Sequence, residues 1–438
     1  MQDPRNTLAH APMHRKQILA VVVATALNAM DGFDVLSISF AAPGIASDWS
    51  ISRAALGLVL SMELIGMGIG ALILGTLADR VGRRPTTLLC LGIMSSGMAL
   101  ASLTTGVTQL SLCRLFTGLG IGGMLATTNA IVAETANARR RNLAVAAMTA
   151  GFPLGAVVGG SIASMLLGYT GRWQAVFQFG ALATAMFIPL VLAFVPETLP
   201  FLMHRRPQRA LSLINALLTS FGHPILSELP VQPEEHWHRT AGSLAQIKQG
   251  GLGVSTSLLI GSYFGHMMSF YFLVKWIPKI VVDLGFDPAN AGAVLVWTNV
   301  GGATGALAVS LLSQRIGIRP LVIVAMVFGA VSIFSFGQAL TTLTQLSIVG
   351  CIGGFFTNGA TGGLYAIIAQ SYPAALRAGG TGLVIGVGRG GAALGPIFAG
   401  LLFAGGWQLP AVAGTLACGT LFAAIALATL RYRENVAA

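Results

Sequence analysis

The sequence predicts an all-α membrane protein with twelve transmembrane helices in two six-helix, pseudo-symmetric halves. Composition, twelve long apolar stretches and a one-sided spread of basic residues carry that prediction. Mean hydropathy is +0.77, 54% of residues are hydrophobic and 9% are charged. A soluble globule carries about 25% charge.

The apolar stretches cover 18–45, 54–78, 86–106, 108–133, 143–168 and 173–195, then 253–277, 291–313, 319–339, 344–370, 378–403 and 410–430. Each can cross a ~30 Å hydrocarbon core as a helix. In lipid, backbone polar groups must be satisfied within the segment, so helices are required. The 56 glycines suit close helix packing, and Gly66/Gly70, Gly118/Gly122, Gly151/Gly155/Gly159, Gly301/Gly305 and Gly382/Gly386/Gly390 form small-xxx-small rows.

The net charge of +11 would suit a nucleic-acid partner if the charges were dispersed. Instead, 19 of the 25 basic residues fall in segments on one side of the twelve-span layout, the tails included. That bias is the positive-inside rule. It predicts cytoplasmic termini and an inner-membrane location, and it excludes a nucleic-acid partner. The first span is too long and too acidic for a cleaved signal peptide, and reads as a signal anchor. Cys90, Cys113, Cys351 and Cys418 lie in apolar stretches without CxxC spacing, so neither a disulfide framework nor a zinc site is expected.

The division is 1–195, a cytoplasmic linker 196–252 with an amphipathic helix around 208–220, and 253–438. His236 and His238 in that linker lack further ligands and read as a solvated loop rather than a metal site. The halves repeat at an offset near 235: Asp79-Arg80-Val81-Gly82-Arg83-Arg84-Pro85 matches Gln314-Arg315-Ile316-Gly317-Ile318-Arg319-Pro320. Two further matches follow, Ala130–Thr135 with Ala366–Ser371 and Gly171–Gln174 with Gly405–Gln408. Three ordered matches indicate duplication. Such six-plus-six repeats describe a major facilitator transporter, with its substrate site at midplane between the halves.

Asp31 and Asp34 are the most informative residues. They lie mid-span, one helical turn apart and on one face. Charges at that depth cost roughly 2.5–3.5 kcal/mol each on insertion scales and mark ion or substrate pathways. Two close acids in low dielectric should not both be ionised, which suits a proton carrier. Glu63, mid-depth in the second span, is either a third proton site or a packing residue near Arg114 or Arg389.

The loop Gly75-Thr76-Leu77-Ala78-Asp79-Arg80-Val81-Gly82-Arg83-Arg84 closely resembles the major facilitator loop motif. The resemblance implies a conformational latch, with Glu134, Arg139, Arg140 and Arg141 joining the same charge cluster. Asp31-Gly32-Phe33-Asp34 resembles the Asp-Gly-x-Asp motif of the aromatic acid:proton symporter family. Arg114, Glu134, Tyr271–Pro278 and Gly388-Arg389-Gly390-Gly391 extend that resemblance. It implies import of benzoate-like or hydroxylated aromatic acids with protons.

An aromatic carboxylate needs a desolvated cation, flat apolar walls and a carboxyl group able to cycle its proton. Arg389, near mid-depth, supplies a bidentate fork of fixed charge. Phe33, Phe270, Tyr271, Trp276, Trp297 and Tyr365 are the candidate walls. His266 reads equally as a substrate or proton contact and as a histidine bonded to a neighbouring helix. Arg114 is assigned to substrate entry or to pairing with Asp31 and Asp34. Lys275 either attracts anions or snorkels outward with Lys279.

Gly118-Leu119-Gly120-Ile121-Gly122-Gly123 sits inside a span with neither a preceding strand nor a Walker lysine, so no nucleotide is expected. No nucleophile–base pair or metal constellation appears, so the chain reads as no enzyme. The expectation is a monomeric, cofactor-free secondary transporter using the proton as coupling ion. A proton antiporter exporting drugs or metabolites is the competing reading, disfavoured by Arg389.

Overall fold

A computed structural model describes residues 4–206, 208–229, 252–338 and 340–430. The described residues form helices and connecting loops, with no strand. After the short α1 (Pro4–His10) come six long helices: α2 (Arg15–Trp49), α3 (Arg53–Val81), α4 (Arg83–Ala101), α5 (Val107–Thr135), α6 (Arg141–Thr170) and α7 (Gln174–Phe194). Two short helices follow, α8 (Leu199–Arg205) and α9 (Ala210–Ser220). Six more long helices complete the chain: α10 (Gly253–Asp283), α11 (Pro288–Leu312), α12 (Ile318–Phe336), α13 (Leu343–Gln370), α14 (Ala374–Ala404) and α15 (Leu409–Thr429).

These twelve long helices coincide with the twelve expected spans. Ten are long and apolar enough to cross a membrane on those criteria alone. The exceptions are α4 and α13. The helix expected around 208–220 is α9, while α8 adds to the expected elements. The His236/His238 pair lies outside the described residues.

The chain divides into two compact units. The first contains Met1–Val35, Gly66–Gly159 and Gln174–His236; the second contains Leu36–Ile65, Gly160–Trp173 and Trp237–Ala438. In the first, glycines bring helix backbones together. A Cβ on Gly155 would come within 1.7 Å of the Ala29 carbonyl oxygen, fixing the α2–α6 crossing. At Gly70 and Gly122 the same holds for α3 on α5, with hypothetical contacts of 2.1 Å. Phe201, Leu202, Ile214 and Leu218 of α8 and α9 form a small apolar core that also takes Leu8.

In the second unit, Gly301, Gly305 and Gly354 seat α11 on α13. The outer stretch of α3 packs there too, with Gly57 against the Pro396 carbonyl of α14. One expected row is not a packing face: Gly382 and Gly386 have open space where a Cβ would lie. The face of α14 that meets α10 carries Gly388, Gly391 and Gly395, lying against Tyr263, Phe264 and Met268. A four-residue spacing identifies a stripe of small residues, but the crossing of α10 selects the neighbouring stripe.

The α3–α4 turn needs glycine for two reasons. Gly82 has φ +121°, and a Cβ there would lie 2.3 Å from the Glu197 carboxylate. Glu197, just past α7, caps α4 by accepting the N–H groups of Arg83 (3.0 Å) and Arg84 (3.2 Å). An anion there satisfies donors that every helix start leaves open. Burial pushes the Glu197 carboxyl above its ordinary value, against the opposing pull of those N–H groups and of Arg83. A carboxyl raised in the folded state binds its proton more tightly there than in the unfolded chain. Its ionised form therefore detracts from stability above the folded value, and acidification toward 4.5 relieves that loss.

Four variants test these packing and capping roles by thermal unfolding in detergent. Gly155→Leu should cost about 3 kcal/mol, because a backbone carbonyl cannot yield, whereas Gly382→Ala should gain about 0.5–1 kcal/mol. Glu197→Ala should cost about 2 kcal/mol by leaving N–H groups without an acceptor. Glu197→Gln should lack the part of the wild-type stability gain that appears on acidification toward the ordinary glutamate range.

Candidate functional site

In the first unit, α2 presents Asn28, Asp31 and Asp34 at three-residue intervals, and all three are buried. Asn28 donates to the Met148 carbonyl at 2.7 Å and so pins α2 to α6. Asp34 accepts from the Thr184 hydroxyl at 3.3 Å. Arg114 on α5 is fully buried and donates to the Asp34 backbone carbonyl at 3.0 Å, with the Phe177 ring 5.4 Å from its guanidinium. The contact is to the main chain of Asp34, one of the two acids with which pairing was expected. Neither carboxylate oxygen of Asp31 has a hydrogen-bond partner among the described residues, although Asp31 is 0% exposed.

Phe33 departs from its assignment as a substrate wall. It is 2% exposed, set edge-on against Phe179 at 5.4 Å and seated in the space that Gly159 leaves. A ring enclosed in this way is packing.

In the second unit, Arg389 at the centre of α14 faces three tyrosines. It lies beside Tyr365 of α13 and Tyr263 and Tyr271 of α10. The Tyr263 and Tyr365 hydroxyls are 2.9 Å apart. Tyr263 is absent from the candidates that the sequence offers. Its signal is the eight-residue spacing to Tyr271, which puts both on nearly one face of α10. The cluster offers one delocalised cation, aromatic surface and several hydroxyls, a set able to bind a flat anion with phenolic groups.

His266 holds α10 to α13. Its Nε2 lies 3.0 Å from the Thr357 carbonyl and 3.1 Å from the Thr361 hydroxyl, and the side chain is buried. This is the helix-bonded alternative of the two readings. Trp297 does not join the Arg389 cluster. It is 53% exposed and lines a cavity of about 560 Å³ with Asn290, Ser347 and Cys351. Its α13 neighbours end at Ile352, and Tyr365 lies about 20 Å further along that helix. Depth along a span does not fix the face a side chain occupies.

Lys275 corrects two expectations. It does not snorkel outward, and it is a partner of Glu63, a pairing absent from the expectations. Lys275 Nζ lies 3.3 Å from Glu63 Oε2, and both side chains are 0% exposed. Breaking a buried pair from one side costs about 3–5 kcal/mol, because the other charge stays behind. Lys279, near the C-terminal end of α10, pairs with Asp283, which also binds Arg53 at 3.2 Å.

The loop between α3 and α4 forms a connected cluster. Arg83 bridges Asp79 at 3.1 Å and Glu134 at 3.0 Å. Thr198 donates to Glu134, and Arg205 to the Asp79 carbonyl. Arg84 reaches the Leu192 carbonyl, and Gly75 lies against Ala126 of α5. Arg80 is exposed. Arg139 and Arg140, expected in the cluster, instead stand exposed in the turn after α5. Glu197, Thr198 and Arg205 complete the cluster from beyond α7. Only the isolated acid after Pro196 hints at them in the sequence.

Comparison with known proteins agrees with this architecture. The family model described as Major Facilitator Superfamily matches residues 22–248 and 259–437. The gallate transporter of Pseudomonas putida is 30% identical, over 97% of this chain and 94% of its own. The 4-hydroxybenzoate transporter PcaK of the same species is 30% identical, over 94% of this chain and 91% of its own. A solved D-xylose–proton symporter superposes with a TM-score of 0.71 at 18% identity, covering 95% of this chain and 98% of that one, which supports the fold. With twelve long helices among the described residues and a charged cluster at the α3–α4 loop, the chain is a multi-pass membrane transporter belonging to the Major Facilitator Superfamily.

Proposed function

We propose that the chain imports an aromatic carboxylate together with protons across the inner membrane, as a monomer with both termini cytoplasmic. The halves 1–195 and 253–438 alternate access around the site, and the linker 196–252 joins them on the cytoplasmic side. Among the relatives, the gallate, 4-hydroxybenzoate and 3-(3-hydroxy-phenyl)propionate transporters are named for carboxylates with ring hydroxyls. The Arg389–tyrosine cluster supports the same ligand class here.

The observation that carries the reading is Asp31. An ionised carboxylate buried without a partner costs several kcal/mol, whereas a neutral acid costs far less. Asp31 therefore carries the coupling proton. Asp34, held by Thr184 and by Arg114 at its backbone, shares and orients the site. Arg389 receives the substrate carboxylate, while Tyr263, Tyr271 and Tyr365 meet its ring and hydroxyls. The Asp79–Arg83–Glu134 cluster, with Arg84 and Glu197, latches the cytoplasmic ends of α3, α4 and α5.

Proteoliposomes with an inward proton gradient should accumulate radiolabelled 4-hydroxybenzoate or gallate. Accumulation that survives collapse of the gradient would exclude proton symport. Asp31→Asn should abolish gradient-driven accumulation yet retain substrate counterflow, which separates coupling from folding. Arg389→Lys should weaken affinity about tenfold, because the charge stays but the fork is lost; unchanged affinity would move the carboxylate site elsewhere.

A further inference from the structure

We propose that the cavity between the first halves of α11 and α13 is a second binding site, whose ligand is an uncharged aromatic molecule with one polar end. It lies wholly in the second unit and apart from the Arg389 cluster. Its ligand differs in charge from the carboxylate assigned to that cluster, so the inference goes beyond the import reading and does not need it.

The placement has three parts. First, the cavity holds about 560 Å³, inside the ~300–1,000 Å³ range of small-molecule pockets. Second, its two walls are graded in polarity along the helices. Asn290, Thr344 and Ser347 stand near the helix starts, whereas Trp297, Cys351 and Ile352 lie one to two turns deeper. Third, the deep end is fixed. Gly301 of α11 sits against the Cys351 carbonyl, and Gly354 of α13 against the Thr298 carbonyl. Trp297, Ile348 and Ile352 remain about half-exposed, so the apolar part of the cavity is open to a ligand.

Charge argues against an anion here. Neither α11 nor α13 contains a charged residue. Asp287, one turn before Asn290, is itself an acid, and caps α11 by accepting the Ala289 N–H at 2.9 Å. A carboxylate entering the cavity would lose water and gain no cation, whereas a neutral molecule avoids that cost.

The polar end of such a molecule has partners at the mouth. The side chains of Asn290, Thr344 and Ser347 make no hydrogen bond among the described residues. An amide offers donors and an acceptor, and a hydroxyl acts as either, so the three can receive a phenol or an ester. The ring meets the Trp297 indole on one wall and Cys351 and Ile352 on the other. A lipid acyl chain would use the apolar depth alone and leave the three polar groups and the indole face unmatched.

Cys351 reports directly on occupancy, and the exposed Cys418 of α15 serves as the reference. Alkylation of the purified protein by N-ethylmaleimide, resolved by site with mass spectrometry, reads both thiols. Propyl 4-hydroxybenzoate, a neutral ester, should slow Cys351 about fivefold relative to Cys418. The 4-hydroxybenzoate anion, at a pH well above the carboxyl range, should leave the ratio nearly unchanged. Trp297→Ala should abolish protection by the ester. Ala293→Phe, which fills the cavity instead of opening it, should slow Cys351 without ligand and remove any further effect of the ester.

No protection by the ester in the wild type would overturn the site. Equal protection by ester and anion would overturn the assignment of a neutral ligand. Protection that persists in both variants would place the ester elsewhere on the protein. Equal protection by decane, which has neither ring nor polar end, would reduce the cavity to a crevice for lipid chains and likewise overturn the proposal.

Discussion

Every buried ionisable group in this protein must be paired, solvated by fixed dipoles or neutral, because low-dielectric surroundings make an isolated charge too costly. The polar architecture follows from that constraint. Arg114 is met by the Asp34 carbonyl and the Phe177 face, Lys275 by Glu63, and the half-buried Arg389 stands beside three tyrosines. Among the described buried acids, Asp31 is the one with neither oxygen hydrogen-bonded. The place where the constraint is left unmet is where a proton can do its work.

The glycine crossings make this arrangement possible. At Gly155 on Ala29, Gly122 on Met67 and Gly391 on Phe264, a backbone lies directly on another helix, so a side chain has little room to adjust. Rigid crossings hold Asp34 within reach of Arg114 and set Tyr263 beside Tyr365. They also favour motion by whole helices or bundles over local rearrangement of side chains.

The long-range plan is legible in the residues. Hydropathy marks twelve spans because lipid forces helices, and the DGFD and GTLADRVGRR segments point to the family because their charges have no other reason to stand there. What depends on helix rotation is not legible. Trp297 and Tyr365 sit on spans of similar character, yet one lines a side cavity and the other meets Arg389. Lys275 resembles a snorkelling residue because its partner is 212 positions away. Glu197 is lost in a polar linker, since its role depends on a turn more than a hundred residues earlier in the chain. Tyr263 is an intermediate case: its helical spacing places it on the Tyr271 face, but only the packing of α10 against α13 sets it beside Tyr365.

The central claim is that substrate binding and protonation of Asp31 are one event. Proton uptake can be measured directly by adding 4-hydroxybenzoate to purified, weakly buffered protein in detergent and following pH with an indicator dye. The account predicts alkalinisation of the medium with the wild type and none with Asp31→Asn, although both bind the ligand. Equal proton uptake by the two proteins, or none by a wild type that binds the ligand, would contradict it.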